Sequence, residues 1–206
     1  MLAAVLSVSA LGADRDLNTV LKAVETRYNS ASTLEVLFHE DYTAPGQPHR
    51  SENGTLFLSR PGRMRWDYAQ PKGKVWLSDG KEHYMFLPDE NRVERGPMKE
   101  SDDLRAPLAF LLGKLHFEKE FRNIQGRPEA DGAMRITADP KNDTLPYSHV
   151  EFVVSARNEI TEVKVTGFDK SLMDYHFDQE KRNEPVSPKI FQFKIPPGAE
   201  VVETGQ

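Results

Sequence analysis

The sequence predicts a mainly β fold of α+β class, one domain of about ten or eleven strands with two or three helices, and three observations carry that prediction. Residues 54–80 (GTLFLSRPGRMRWDYAQPKGKVWLSDG) alternate apolar and polar side chains, placing Met64, Trp66 and Tyr68 on one face of an extended strand and Arg63, Arg65 and Asp67 on the other. Short extended segments recur along most of the chain, separated by clusters of turn-forming residues. Helical signals are confined to two places, an apolar helical spacing near the N-terminus and an all-apolar run between Pro107 and Gly113.

The elements follow in order. Residues 1–13 are an uncharged apolar run that reads as a signal-peptide remnant, with small residues before Leu11 and before Asp14 at the positions a signal peptidase needs. The domain is expected over 14–206. Leu17, Val20, Leu21, Val24 and Tyr28 recur at helical spacing, with Asp14 or Asp16 available as N-cap. NSAST at 29–33 ends that helix, and 34–42 reads as a strand. A meander follows at 54–59, 63–68, 74–78, 82–87 and 91–94, in which Ser78-Asp79-Gly80-Lys81 predicts a tight type I′ hairpin. Residues 107–113 leave the two-residue period. Pro107 suits the start of a helix and Gly113 its end, and Leu108, Phe110, Leu111 and Leu112 leave it without a polar face. Further strands are expected at 121–125, 133–138, 148–154, 159–166 and 172–178. The tail, 191–202, contains Pro196-Pro197-Gly198 and suits an edge strand.

Composition narrows the function classes. The 206 residues carry 38% hydrophobic and 29% charged side chains, a globular mixture, and 27 basic against 32 acidic groups leave a net charge of −5 with no basic footprint for nucleic acid. There is no cysteine, so neither a disulfide nor a cysteine-borne acyl anchor is available. The six histidines lack metal-ligand spacing, and neighbours in His39-Glu40-Asp41 point to opposite faces of a strand. GxSxG, P-loop and GxGxxG motifs are absent. The sequence therefore predicts no enzyme, metal or cofactor. What it offers is a shaped apolar surface.

Gly54-Thr-Leu-Phe-Leu-Ser-Arg60-Pro61, Met64-Arg-Trp66-Asp-Tyr68, Pro71 and Ser78-Asp79-Gly80-Lys81, followed by the apolar helix at 107–113 and FQFKIPPGAEV at 191–201, resemble the periplasmic carriers of the outer-membrane lipoprotein sorting pathway. The resemblance implies an incomplete antiparallel β-barrel whose concave apolar face is covered by helices and receives the acyl chains of a lipoprotein. It implies a soluble, monomeric periplasmic carrier that takes its cargo from an inner-membrane ABC transporter and passes it to an outer-membrane acceptor. It also implies that Arg60 ties the lid helix at 107–113 over the cavity by hydrogen bonds to backbone carbonyls.

The residues themselves leave two readings open. Met64, Trp66, Tyr68, Trp76, Tyr84 and Phe86, with Leu108, Phe110, Leu111 and Leu112, line a cavity or its lid under the first. Under the second they are ordinary core between sheet and helix. The same fold could also serve an envelope lipid or lipoprotein sensor, or a carrier of another amphiphile such as a glycolipid.

Overall fold

The computed structural model describes residues 15–98 and 115–204. The signal-peptide reading of 1–13 and the helix expected at 107–113, with Leu108, Phe110, Leu111 and Leu112, lie outside the described residues. Within them the element order is α1 (Leu17–Asn29), β1 (Thr33–Thr43), β2 (Arg50–Ser59), β3 (Arg63–Gln70), β4 (Val75–Ser78), β5 (Glu82–Leu87), β6 (Arg92–Pro97), α2 (Phe117–Glu120), β7 (Phe121–Pro128), β8 (Met134–Pro140), β9 (Tyr147–Val154), β10 (Ile160–Gly167), β11 (Leu172–Arg182) and β12 (Glu200–Glu203).

All twelve strands form one sheet in the order β12-β6-β5-β4-β3-β2-β1-β11-β10-β9-β8-β7. Neighbours are antiparallel except β12, which joins β6 in parallel because the chain returns along the outside of the sheet before adding its last strand. Of the edge strand expected over 191–202, only Glu200–Glu203 pairs, as a twelfth strand. Strands β12 and β7 stand at opposite edges, so the sheet is open.

The sheet is also curved. Trp66 on β3 and Tyr175 on β11 are separated by β2 and β1, roughly 14 Å in a flat sheet. Their ring centroids lie 5.6 Å apart. That approach requires the two strands to lean toward each other across a concave face. The alternation read from the sequence supplies this face strand by strand: Leu34, Val36 and Phe38; Leu56 and Leu58; Met64, Trp66 and Tyr68; Ile136; Phe152; Val163; Tyr175 and Phe177 belong to one buried cluster.

Helix α1 closes one end of the concave face. Its N-cap is Asp16, whose carboxylate accepts from Thr19 N at 3.0 Å and Thr19 Oγ1 at 3.1 Å. Val20, Leu21, Val24 and Tyr28 are buried on the sheet. At ~1.5–3 kcal/mol for each large apolar side chain, this stripe outweighs any single cap in holding the helix down. At its N-terminal end Arg15 donates to the carbonyls of Gly132 (3.1 Å) and Ser155 (2.9 Å), pinning α1 to the turns after β7 and β9.

The convex face carries its own smaller cover. Residues 188–193 lie across β3, β4 and β5: Arg65 Nη1 donates to Ile190 O at 2.8 Å, the Arg63 guanidinium stands over the Phe191 ring, and Tyr84 stacks on Phe193 at 5.1 Å. Leu77 and Phe191 are buried there. One turn departs from expectation. Gly80 has φ 98° while Asp79 stays out of the left-handed region, so the hairpin is not type I′. The Asp79 carboxylate instead accepts the N–H groups of Lys81 and Glu82.

Candidate functional site

The site is built on β1, β2, β3 and β11. Register puts Leu56 of β2 opposite Trp66, and Trp66 opposite Trp76 of β4, so the two tryptophans share the concave face. Phe38 meets Trp66 edge-on at 4.6 Å and Tyr68 edge-on at 5.2 Å, and Tyr175 stacks on Phe177 at 6.0 Å. The floor is an aromatic pavement.

Gly54 makes that pavement possible. It lies between Phe38 of β1 and Tyr68 of β3, beside a register shift in β2. A Cβ there would stand 2.0 Å from the Asp67 carbonyl oxygen. With no side chain between them, the rings of Phe38 and Tyr68 touch across the gap, and the strands bend more tightly than a bulkier residue allows.

Four of the residues expected on the floor are found together: Met64, Trp66, Tyr68 and Trp76 are buried in the concave cluster. Tyr84 and Phe86 are not among them. Trp76 pairs with Met85, Leu77 with Tyr84 and Val75 with Phe86, so Met85 shares the concave face while Tyr84 and Phe86 stand on the convex one. Sequence reasoning also passed over Phe38, Tyr175 and Phe177. Alternation through 173–177 and 34–38 is the signal that marks them.

Arg60, directly after β2, does bond backbone carbonyls, but among the described residues these belong to α1 rather than to the helix expected at 107–113. Its Nη2 donates to Tyr28 O at 2.7 Å and its Nη1 to Asn29 O at 3.2 Å. A helix leaves its last four carbonyls without intrahelical partners. Here all four are satisfied. Thr26 O accepts from Ser30 N, Arg27 O from Arg182 Nη1 at 3.1 Å, and Tyr28 O and Asn29 O from Arg60. Arg60, just past β2, and Arg182, at the end of β11, thus hold one helix end, where cations complement the helix dipole.

The two fixings at this end differ in strength. Arg27 pairs with the carboxylates of Glu159 and Glu180, which keep its guanidinium charged and raise its pKa against the effect of burial. Arg60 donates to neutral carbonyls, and burial draws its pKa below the usual arginine value. Arg27 is held by ion pairs and Arg60 by hydrogen bonds to carbonyls. Tyr28 completes the cluster: its phenol donates to Glu180 at 2.7 Å and accepts Ile160 N–H at 2.9 Å. Burial, reinforced by the Glu180 charge, pushes its pKa well above the ordinary tyrosine range, so it remains a donor.

The same helix end reaches the chain at 115. The Asn29 side chain donates to Leu115 O at 2.8 Å and accepts Leu115 N–H at 2.6 Å, and Glu25 accepts Phe117 N–H at 2.8 Å. Beneath α1, a cleft lined by Tyr28, Leu34, Val36, Leu56, Ile160, Phe177 and Glu180 holds about 10 Å³ of free space, about one water-sized sphere. The helix is seated close against the sheet.

Among the described residues no three His, Asp or Glu side chains are placed to hold a metal ion. His39 and His49 instead share Asp41, at 3.1 and 3.0 Å, on the exposed convex side. No helix among them is long and apolar enough to cross a membrane.

Comparison with known proteins adds the family. The family model described as "Outer membrane lipoprotein carrier protein LolA" matches residues 29–194. The outer-membrane lipoprotein carrier protein of Methylobacillus flagellatus is 26% identical over 183 residues, 88% of each chain. That of Chromobacterium violaceum is 25% identical over 205 residues, covering 98% of this chain and 96% of its own. An uncharacterized conserved protein from Thermus thermophilus shares the fold with a TM-score of 0.55 at 12% identity, over 92% of this chain and 99% of its own.

Proposed function

Since the chain belongs to the outer-membrane lipoprotein carrier family, we propose that it shields the acyl chains of lipoproteins on its concave face and moves them through the periplasm from the inner to the outer membrane. The observation that carries the reading is the continuous aromatic and aliphatic floor, Phe38, Trp66, Tyr68, Tyr175 and Phe177, under a helix held at its C-terminal end by Arg60. No covalent step is needed. Each acyl methylene taken from water contributes about 0.8 kcal/mol, so an open face would bind even part of two chains too firmly to give them up.

The closed position of α1 supplies the opposing term. Cargo entering the face competes with Val20, Leu21, Val24 and Tyr28 for the same apolar surface. Lifting the helix breaks the two Arg60 bonds together with the Arg182, Arg27 and Tyr28 contacts to the sheet, and their re-formation favours release, as a ligand-driven shift between two states requires. Met64, Trp66, Tyr68 and Trp76 are the cargo contacts in this scheme, and the apolar side chains Leu108, Phe110, Leu111 and Leu112 complete the cover. The donor is an inner-membrane ABC transporter and the recipient an outer-membrane acceptor, each met by a monomeric carrier.

Native mass spectrometry of the protein recovered from the periplasm tests the reading. A 1:1 complex with a triacylated lipoprotein is expected. Bound glycolipid with no protein cargo overturns it in favour of a different amphiphile.

A further inference from the structure

The apolar floor does not end in the same way at its two ends. At the end closed by α1 it runs into the helix and the Arg60 bonds. At the other end of β1–β4, about four residues along β3 from Met64 and so roughly 13 Å away, it stops at charges, while across β11–β8 the apolar cluster runs on through Met173, Val165, Val150 and Ala138. Glu40 of β1 stands directly opposite Glu52 of β2, and Lys74 stands opposite Tyr68, its carbonyl accepting Tyr68 N–H at 3.1 Å. By strand parity all three share the face of Phe38 and Trp66. The Lys74 ammonium bonds Glu52 and lies 4.3 Å from the centre of the Tyr68 ring. A second cation, Arg50, lies over the Tyr42 ring beside them.

These groups are largely withdrawn from water. The side chains of Lys74 and Glu52 are 11% and 15% exposed, and Glu40 is buried. Stability alone is a poor reason for them, because removing an ion pair from water costs about what the pair returns, and apolar residues at these positions would extend the floor. A face that holds chains ending in a polar head needs polarity at one end.

We propose that Glu40, Glu52 and Lys74 form the seat for the polar head of an acylated cargo, the amide and ester groups at which acyl chains join the lipoprotein's first residue. The inference rests on the carrier reading and adds an orientation to it. The glutamates accept amide N–H groups and the lysine donates to carbonyl oxygens, so head groups rich in both are favoured over bare hydrocarbon. The acyl ends then point toward α1 and Arg60.

The test uses the full chain and a synthetic triacylated lipopeptide carrying a diazirine either in its peptide or at the ends of its acyl chains. The peptide-labelled probe is expected to crosslink within 50–54 or 71–75, and the acyl-labelled probe within 20–36. Reversed or unbiased crosslinking overturns the head seat while leaving the carrier reading intact. Failure of both probes to bind overturns the carrier reading and the seat with it. A paired measurement separates the seat from a structural role: Glu52→Gln with Lys74→Met is expected to weaken lipopeptide binding roughly tenfold, leave the neutral dye N-phenylnaphthylamine bound as before, and recover when Lys74→Arg replaces Lys74→Met and Glu52 is restored. Equal losses for both probes overturn the proposal.

Discussion

Nη2 of Arg60 donates to the carbonyl oxygen of Tyr28 at 2.7 Å, joining the strand end that leaves β2 to the last turn of the helix covering the concave face. The bond is charge-assisted on one side only, and Arg182 holds the neighbouring carbonyl independently. Arg60→Leu is therefore expected to leave a folded protein, with a stability loss of about 1–2 kcal/mol in urea unfolding. Its functional effect is larger: the variant loads lipoprotein but passes it poorly to the acceptor, because the closed state no longer regains the Arg60 bonds on release. Transfer at the wild-type rate in a reconstituted assay would remove Arg60 from this role.

Tyr28 has the opposite character, a buried hydroxyl engaged twice. Tyr28→Phe keeps the ring in the apolar cleft but leaves Ile160 N–H without its acceptor and Glu180 without one donor. A loss of about 1–3 kcal/mol is expected from the stranded groups. Since α1 is anchored there, the amides of 20–29 should exchange faster with solvent than in the wild type. Stability equal to the wild type would mean that water replaces both bonds at no cost.

The alternation of β3 was legible because only one of its faces is apolar: Met64, Trp66 and Tyr68 go inward, while Arg63 and Arg65 face outward. The same rule fails on β5. His83-Tyr84-Met85-Phe86 shows no alternation because both faces of the sheet are covered there, the inner by the concave cluster and the outer by residues 188–193. Side-chain bulk then pointed to Tyr84 and Phe86, when the inward residue is Met85. The family resemblance marked Arg60 as a residue that bonds carbonyls, but its partner α1 is a tertiary fact with no local signature. The bond to α1 joins residues 28 and 60, and sequence spacing does not encode that contact.

Gly54 is where the curvature of the site is most sensitive. Gly54→Ala places a methyl group against the Asp67 backbone, and a backbone cannot step aside as a flexible side chain can. A destabilisation of about 1–3 kcal/mol is expected. The Phe38 to Tyr68 contact should open with it, visible as a change in near-ultraviolet circular dichroism before unfolding begins. An unchanged spectrum and midpoint would show that the strands relax without loss.

Acid should weaken the far side of the sheet through Asp139. Its carboxylate accepts from Asn123 Nδ2 at 2.8 Å and lies 2.8 Å from His149 Nδ1, and these contacts hold its pKa below the usual aspartate value. The unfolded chain therefore binds this proton first as pH falls. The stabilisation is complete above the unfolded pKa of about 3.9 and is lost as pH drops through the lower folded value. Wild type should exceed Asp139→Asn in stability at pH 6, with the gap closing toward pH 3. A gap that stays constant assigns the effect to packing instead of charge.

Asn29 links the helix end to Leu115, just before α2, by a pair of bonds that imitates one rung of a sheet ladder. An amide side chain is suited to this because it offers a donor and an acceptor side by side, which neither aspartate nor leucine does. If α1 and residues 115–117 move together when cargo enters, Asn29 and Glu25 are the couplers. Asn29→Ala is expected to cost about 1–2 kcal/mol and to speed hydrogen exchange at the Leu115 amide while leaving the Arg60 bond to Tyr28 in place. Asn29→Asp is the sharper variant, since it keeps the acceptor for Leu115 N–H but sets a charge against Leu115 O. It should be the worse of the two near pH 7 and overtake Asn29→Ala in acid, when the carboxyl gains a proton and can both donate and accept.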